Sequence, residues 1–160
     1  MSANSAHFAS DFKPEGTRVK IPTRILSDMQ THASSTYPEE CCGLMLGTFE
    51  NGTTEKIVVK SRRMDSVFVK EERFHRYTID PREFLLAESD AERQGLEVVG
   101  IYHSHPNAPA KPSEFDTRHA WPTMSYVVMS IRDSQIEDTK SWILKDDRTG
   151  FVSEELSVEK

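Results

Sequence analysis

Apolar positions recur at helical spacing just after Pro22, where Ile25, Leu26, Met29 and Ala33 line one face and Tyr37-Pro38 ends the run. Thr23 precedes the pattern as its natural N-cap. Two β-like runs follow, CCGLMLGTFE and TTEKIVVKSRR, separated by Asn51-Gly52, the strongest short signal for an antiparallel hairpin. From residue 64 to 75 the pattern dissolves into mixed charges around Val67-Phe68-Val69, predicting an exposed loop or flap, after which RYTID reads as a short strand. Asp80-Pro81-Arg82-Glu83 sets a capping residue, an N1 proline and an acidic first turn in order, and Phe84, Ala87 and Ala91 continue a second helix up to Gln94-Gly95. EVVGIYHSH is then a strand, followed by a proline-rich loop, two more strands in SYVVMSIR and KSWILKD, and a terminal strand from Phe151 to Leu156. No repeat or long linker interrupts this order, so the expectation is one α/β domain over residues 20–157 with two main helices and a mixed sheet. Residues 1–19, rich in Ser, Asn and Ala without a period, are expected to be a flexible tail.

Composition narrows the picture. Among 160 residues, Leu, Ile, Val and Phe total 35, just above the roughly 20% below which charged chains tend to stay disordered. A compact core of modest size follows. The formal charge of −6 removes the broad attraction for phosphate backbones, so nucleic acid is not an expected partner. Apolar stretches fall far short of the ~20 residues that span a bilayer, and the first twenty residues lack a secretory pattern, which points to the cytoplasm and away from membranes. The two cysteines, Cys41 and Cys42, are adjacent and cannot tie distant segments together.

Candidate chemistry concentrates in residues 103–116, HSHPNAPAKPSEFD. Side chains alternate along a strand, so His103 and His105 face the same way with Cα atoms roughly 7 Å apart, while Ser104 points elsewhere. Two imidazoles at that spacing can converge on one ion, and catalytic zinc takes three protein ligands with a fourth position left for water. Asp116 offers the third. Pro106, Pro109 and Pro112 restrict the intervening loop and bring that carboxylate back to the strand end at little entropic cost. A His-x-His pair alone is a weak motif, and Ser113 to Asp116 also reads as an ordinary helix start, with Ser113 as N-cap and Asp116 favoured in the first turn. Both readings can hold, because a cap fixes the helix that presents Asp116.

His103-Ser104-His105, seven residues, then Ser113-Glu114-Phe115-Asp116 resembles the complete signature of the JAMM, or MPN-plus, zinc metallopeptidases. Pro38-Glu39-Glu40-Cys41-Cys42-Gly43-Leu44 is similar to the family's upstream block, in which a Glu precedes a Cys-Gly pair. The resemblance spans roughly residues 20–156. It implies a cytidine-deaminase-like fold of three α-β-α layers, one zinc per chain held by His103, His105 and Asp116, and Glu40 as general base. The short single-domain form is most similar to the prokaryotic branch, whose members act on small ubiquitin-like or sulfur-carrier proteins ending in Gly-Gly. The stretch at 64–75 is by position the family's flap over an extended substrate tail.

The implied chemistry is consistent with these residue types. Zinc would lower the pKa of water from ~15.7 toward 7, Glu40 would relay the proton to the leaving amine, and the Ser113 hydroxyl would stabilise the developing oxyanion. Glu39 is the rival base, facing the opposite side. Arg62, Arg63, Arg73 and Arg76 could meet an acidic partner but equally form a solvated basic face. Cys42, His119, Trp121, Trp142 and Tyr126 are read as packing, and His32 and His75 as surface or satisfied structural residues. The main alternative is a non-catalytic zinc-containing module that binds ubiquitin-like tails. A zinc nucleobase deaminase would need a His-x-Glu and a Cys-Pro-linked pair of cysteines, which this sequence lacks.

Overall fold

The computed structural model describes residues 17–50, 53–66 and 77–160. In chain order the elements are β1 (Arg18–Pro22), α1 (Thr23–Thr36), β2 (Cys42–Phe49), β3 (Lys56–Met64), α2 (Pro81–Arg93), β4 (Glu97–Pro106), α3 (Glu114–His119), β5 (Ser125–Arg132), β6 (Gln135–Leu144) and β7 (Phe151–Glu159). β2 and β3 pair antiparallel as the hairpin pattern requires, although the Asn51-Gly52 turn itself lies outside the described residues. The α2 start also follows its sequence, with the Asp80 carboxylate accepting from the Arg82 amide at 2.8 Å and Pro81 at the first turn. Gly95, at φ +74°, takes the left-handed conformation that follows its C-cap. At α1 the expectation needs correction: Pro22 is the N-cap, and the Thr23 hydroxyl donates instead to the Glu159 carbonyl at 3.0 Å.

The strands do not form the flat middle layer of the expected α-β-α sandwich. They close into a barrel in the order β1-β3-β2-β4-β5-β6-β7. The reason is β1, whose Arg18 and Val19 were assigned to the tail. It pairs parallel with β7 from Arg18↔Glu155 to Pro22↔Glu159, and parallel with β3 at Val19↔Lys56 and Lys20↔Ile57. Its RVKIP sequence alternates charged with apolar residues, and Val19 and Ile21 are both fully buried. That alternation was the available signal, but five residues between a polar tail and a proline are too short to stand out. Residues 1–16 of the expected tail, and residues 67–75 of the expected flap, lie outside the described residues. Around that gap, RYTID contributes one isolated antiparallel bridge, Ser66↔Ile79, in place of a strand. The terminal strand runs past Leu156 to Glu159 because β1 gives it a partner along that length.

Two apolar clusters form. α1 buries Ile25, Met29 and Ala33 against Met45, Tyr102, Val127 and Met129, while α2 buries Ala87 and Ala91 in a second cluster with Cys42, Leu44, Ile101 and Tyr126. Each fully buried side chain of this size contributes roughly 1.5–3 kcal/mol. Strand alternation therefore sends Tyr102 towards α1 and Ile101 towards α2, and His103 and His105 share the face of Ile101. Closure is reinforced by a buried ion pair, Lys56 Nζ to Glu154 Oε2 at 3.3 Å, whose carboxylate also accepts from Ser125 at 2.6 Å and Ser141 at 2.8 Å. Among the described residues no helix is long and apolar enough to cross a membrane.

Candidate metal centre

β4 carries both histidines into the interior, with His103 fully buried and His105 nearly so. The proline-rich loop is held against the barrel: the Asn107 amide donates to the Ile131 carbonyl at 2.7 Å, Ser130 to the Ala108 carbonyl at 2.6 Å, and the Trp142 indole to the Ala110 carbonyl at 3.0 Å. The loop thus arrives at α3 in one conformation. There Ser113 and Asp116 form a capping box, in which the Asp116 amide donates to Ser113 Oγ at 3.1 Å and the Ser113 amide donates to Asp116 Oδ2 at 2.8 Å.

These elements bring His103, His105 and Asp116 together, the one such group of metal-competent side chains among the described residues. The donor atoms form a nearly equilateral triangle: His103 Nε2 to His105 Nε2 is 3.1 Å, His103 Nε2 to Asp116 Oδ2 is 3.2 Å, and His105 Nε2 to Asp116 Oδ2 is 3.3 Å. Ligands about 2.0–2.1 Å from a tetrahedral zinc are about 3.3 Å from one another, so the triangle has the size of one tetrahedral face. The donor set fits zinc as well. His105 Nδ1 donates to the Pro109 carbonyl at 3.1 Å, which fixes the tautomer that leaves Nε2 with its lone pair. Burial lowers the pKa of His103, keeping it a neutral ligand. Burial works against the Asp116 charge, but His103, His105 and the Ser113 amide outweigh it and hold the carboxyl below its ordinary range.

Glu40 stands at the approach to β2, buried, whereas Glu39 is only half-buried, as expected of neighbours facing opposite sides. Burial, with the Asp116 charge as the second cause, pushes the Glu40 carboxyl up to about 9. Ser104, read from the sequence as merely pointing away, has a definite task. Its hydroxyl accepts the Cys41 amide at 2.8 Å and its own amide donates to the Cys41 carbonyl at 3.2 Å, which fastens the peptide next to Glu40 onto the ligand strand. Tyr77 is a further residue that sequence reasoning passed over. Its ring stacks on His103 with centroids 4.6 Å apart and planes 28° apart. No sequence signal marks that contact, since residue 77 belonged to what reads as a plain short strand.

Other candidates separate from the centre. Cys42 is buried and its thiol donates to the Met64 carbonyl at 3.6 Å, in keeping with packing. His119 is not packed under Trp121: it is exposed, bonds the Phe115 carbonyl through Nδ1 at 2.8 Å and stacks on the Phe115 ring. Trp121 is 56% exposed rather than core, because α3 is short and sets it at the rim, tilted against Phe84. Trp142 and Tyr126 do pack in the α2 cluster. His32 is buried with Nδ1 2.7 Å from the Tyr102 hydroxyl, a satisfied structural residue. Arg62 pairs with Asp90 of α2 at 2.9 Å, while His75, Arg73 and Arg76 lie outside the described residues.

Residues 22–145 match the family model of prokaryotic homologs of the JAB domain. A probable TtuB-protein conjugate cleaving protease of Thermus thermophilus is 31% identical over 113 residues, which cover 71% of this chain and 70% of that protein. The desampylase of Pyrococcus furiosus is 31% identical over 109 residues, covering 67% and 68%. The CysO-cysteine peptidase of Mycobacterium tuberculosis is 29% identical over 137 residues, covering 84% and 86%. Among solved structures, a protein from Desulfitobacterium hafniense superposes with a TM-score of 0.76 at 28% identity, over 89% of this chain and 93% of that one.

Proposed function

This α/β chain belongs to the family of prokaryotic homologues of the JAB domain and is a hydrolase, and on that premise we propose that it is a cytoplasmic zinc peptidase that hydrolyses the bond after the C-terminal Gly-Gly of a small ubiquitin-like or sulfur-carrier protein. The catalytic unit is residues 20–157. The observation that carries the reading is the triangle of donor atoms, 3.1 to 3.3 Å on a side, presented by His103, His105 and Asp116. The names of three relatives, a conjugate-cleaving protease, a desampylase and a CysO-cysteine peptidase, support the substrate class.

His103, His105 and Asp116 would hold one zinc per chain. When bound, zinc supplies Lewis acidity, making water acidic enough to react near pH 7 and polarising the scissile carbonyl. Glu40 takes the proton from the attacking water on its carboxylate and passes it to the leaving amine, so that one water is consumed, the C–N bond breaks, and an acid and an amine result. Burial makes the Glu40 carboxyl hold its proton more tightly than an exposed glutamate does, and the charge of a bound cation would favour the carboxylate form that the base requires. The Ser113 hydroxyl uses its oxygen for the Asp116 amide and keeps its proton for the developing oxyanion, a contribution of about 3 kcal/mol at comparable positions. Glycines in the substrate tail let its backbone approach closely, and strand addition supplies affinity without large side chains. Leu85 and Leu86 of α2, 61% and 56% exposed, and Trp121 are exposed apolar side chains suited to the folded body of such a substrate.

The test is Glu40→Gln. With a Gly-Gly fusion of a candidate carrier protein followed by mass spectrometry, the variant is expected to retain zinc at parent stoichiometry and to lose cleavage by at least 100-fold. Equal behaviour of variant and parent would favour the non-catalytic module that binds ubiquitin-like tails. A purified chain that holds no zinc would end the zinc-peptidase reading.

A further inference from the structure

We propose that Tyr77 is a positioning residue of the metal centre, its ring acting as the platform that holds the His103 imidazole with Nε2 turned towards His105 and Asp116. This inference rests on the metal-binding reading above and assigns Tyr77 a part that neither its sequence context nor the metal donors themselves require.

The three donors are restrained differently. His105 is tied through Nδ1 to the Pro109 carbonyl at 3.1 Å, and Asp116 Oδ2 by the Ser113 amide at 2.8 Å. His103 has no such polar tether. Its Nδ1 is buried and has no hydrogen-bond partner among the described residues. Metal-bound histidines ordinarily have their ring plane set by a hydrogen bond from the second nitrogen. At His103 the face of Tyr77 supplies the stacking restraint, 4.6 Å away between centroids and 28° from parallel. Offset aromatic stacking of this kind is favourable beyond burial alone and opposes rotation of the ring out of plane.

A platform must itself be fixed. The Thr78 amide donates to Ser66 Oγ at 3.2 Å, Ile79 forms a bridge with Ser66, and Asp80 caps α2 through the Arg82 amide. Three successive residues after Tyr77 are therefore pinned, two of them to Ser66 just past β3 and one to α2. Tyr77 transmits the rigidity of those elements to the imidazole.

The experiment measures zinc affinity of the full chain by competition with a chromophoric chelator, for parent, Tyr77→Phe and Tyr77→Leu. Tyr77→Phe preserves the ring face and is expected to stay within threefold of the parent. Tyr77→Leu removes it and is expected to weaken zinc 10- to 100-fold, the range typical of lost support to a ligand. Cobalt-loaded samples give an independent readout, the d–d absorption of Tyr77→Phe matching the parent and that of Tyr77→Leu shifting. Far-UV circular dichroism identifies any variant that fails to fold, in which case Tyr77→Met replaces Tyr77→Leu. Parent-like affinity and spectrum in the leucine variant would overturn the proposal, as would Tyr77→Phe falling with Tyr77→Leu, which would transfer the effect to the hydroxyl. A parent that binds no zinc would overturn the metal-binding reading and this proposal together, and is recognised without reference to the variants.

Discussion

At the scale of single residues, burial and neighbouring groups compete for protonation, with the neighbours prevailing at Asp116 and burial at His32. His32 is the case remote from the donors. Burial first, and the nearby Arg63 second, lower its pKa from 6.5 to about 4, with Asp65 opposing. The folded chain therefore resists a proton that the unfolded chain accepts. Its contribution to stability is complete above pH 6.5 and is lost as pH falls from there towards 4, at no more than about 1.4 kcal/mol per unit. Urea midpoints of the parent and His32→Gln, compared at pH 7.5 and pH 4.5, are expected to show the larger acid loss in the parent; equal losses would refute the assignment. The juxtaposition of His103, His105 and Asp116 was legible because a strand's alternation, a capping pattern and the resemblance to a known signature point to it together. Ser104 and Tyr77 were not, since each acts through a partner distant in sequence, Cys41 for the one and His103 for the other.

At the scale of elements, close backbone approach and helix capping are the features most open to test. β2 shifts register against β3 between Leu46 and Gly47, and a Cβ built on Gly47 would overlap the Ile57 carbonyl. Backbone on an adjacent strand cannot step aside as a flexible side chain can. Gly47→Ala is expected to cost at least the ~1–3 kcal/mol of an overpacked core, measured by urea denaturation. At α3, Ser113→Ala removes the acceptor for the Asp116 amide, a loss of about 0.5–2 kcal/mol in stability, and it frees the segment that presents Asp116. Zinc affinity should fall along with cleavage rate, whereas Ser113→Thr, which keeps the cap, should retain the affinity. Helix α2 and the β2–β3 hairpin were readable because their signals are local. The cap of α1 was misread because Thr23 finds its partner in the Glu159 carbonyl, at the far end of the chain.

For the molecule as a whole, closure is the property that no local pattern could reveal, since it depends on a short strand finding β7 and β3 at once. The Lys56–Glu154 pair beside that seam is almost wholly shielded, at 2% and 0% side-chain exposure. Lys56→Met leaves the carboxylate uncompensated and is expected to cost about 3–5 kcal/mol, and the double variant with Glu154→Gln to recover much of it. Equal urea midpoints for parent and single variant would show the pair to be dispensable. The exposed apolar side chains belong to this scale too: Leu85→Glu should raise KM for a folded carrier and leave hydrolysis of a short Gly-Gly peptide unchanged. A last consequence concerns assembly. All three metal-competent side chains come from residues 103–116, whereas Glu40 lies just before β2, which docks on β4 through pairs such as Cys42↔His103. On the proposed roles, a nascent chain would load its ion early and stay chemically silent, its cutting power switched on by the completion of its own folding.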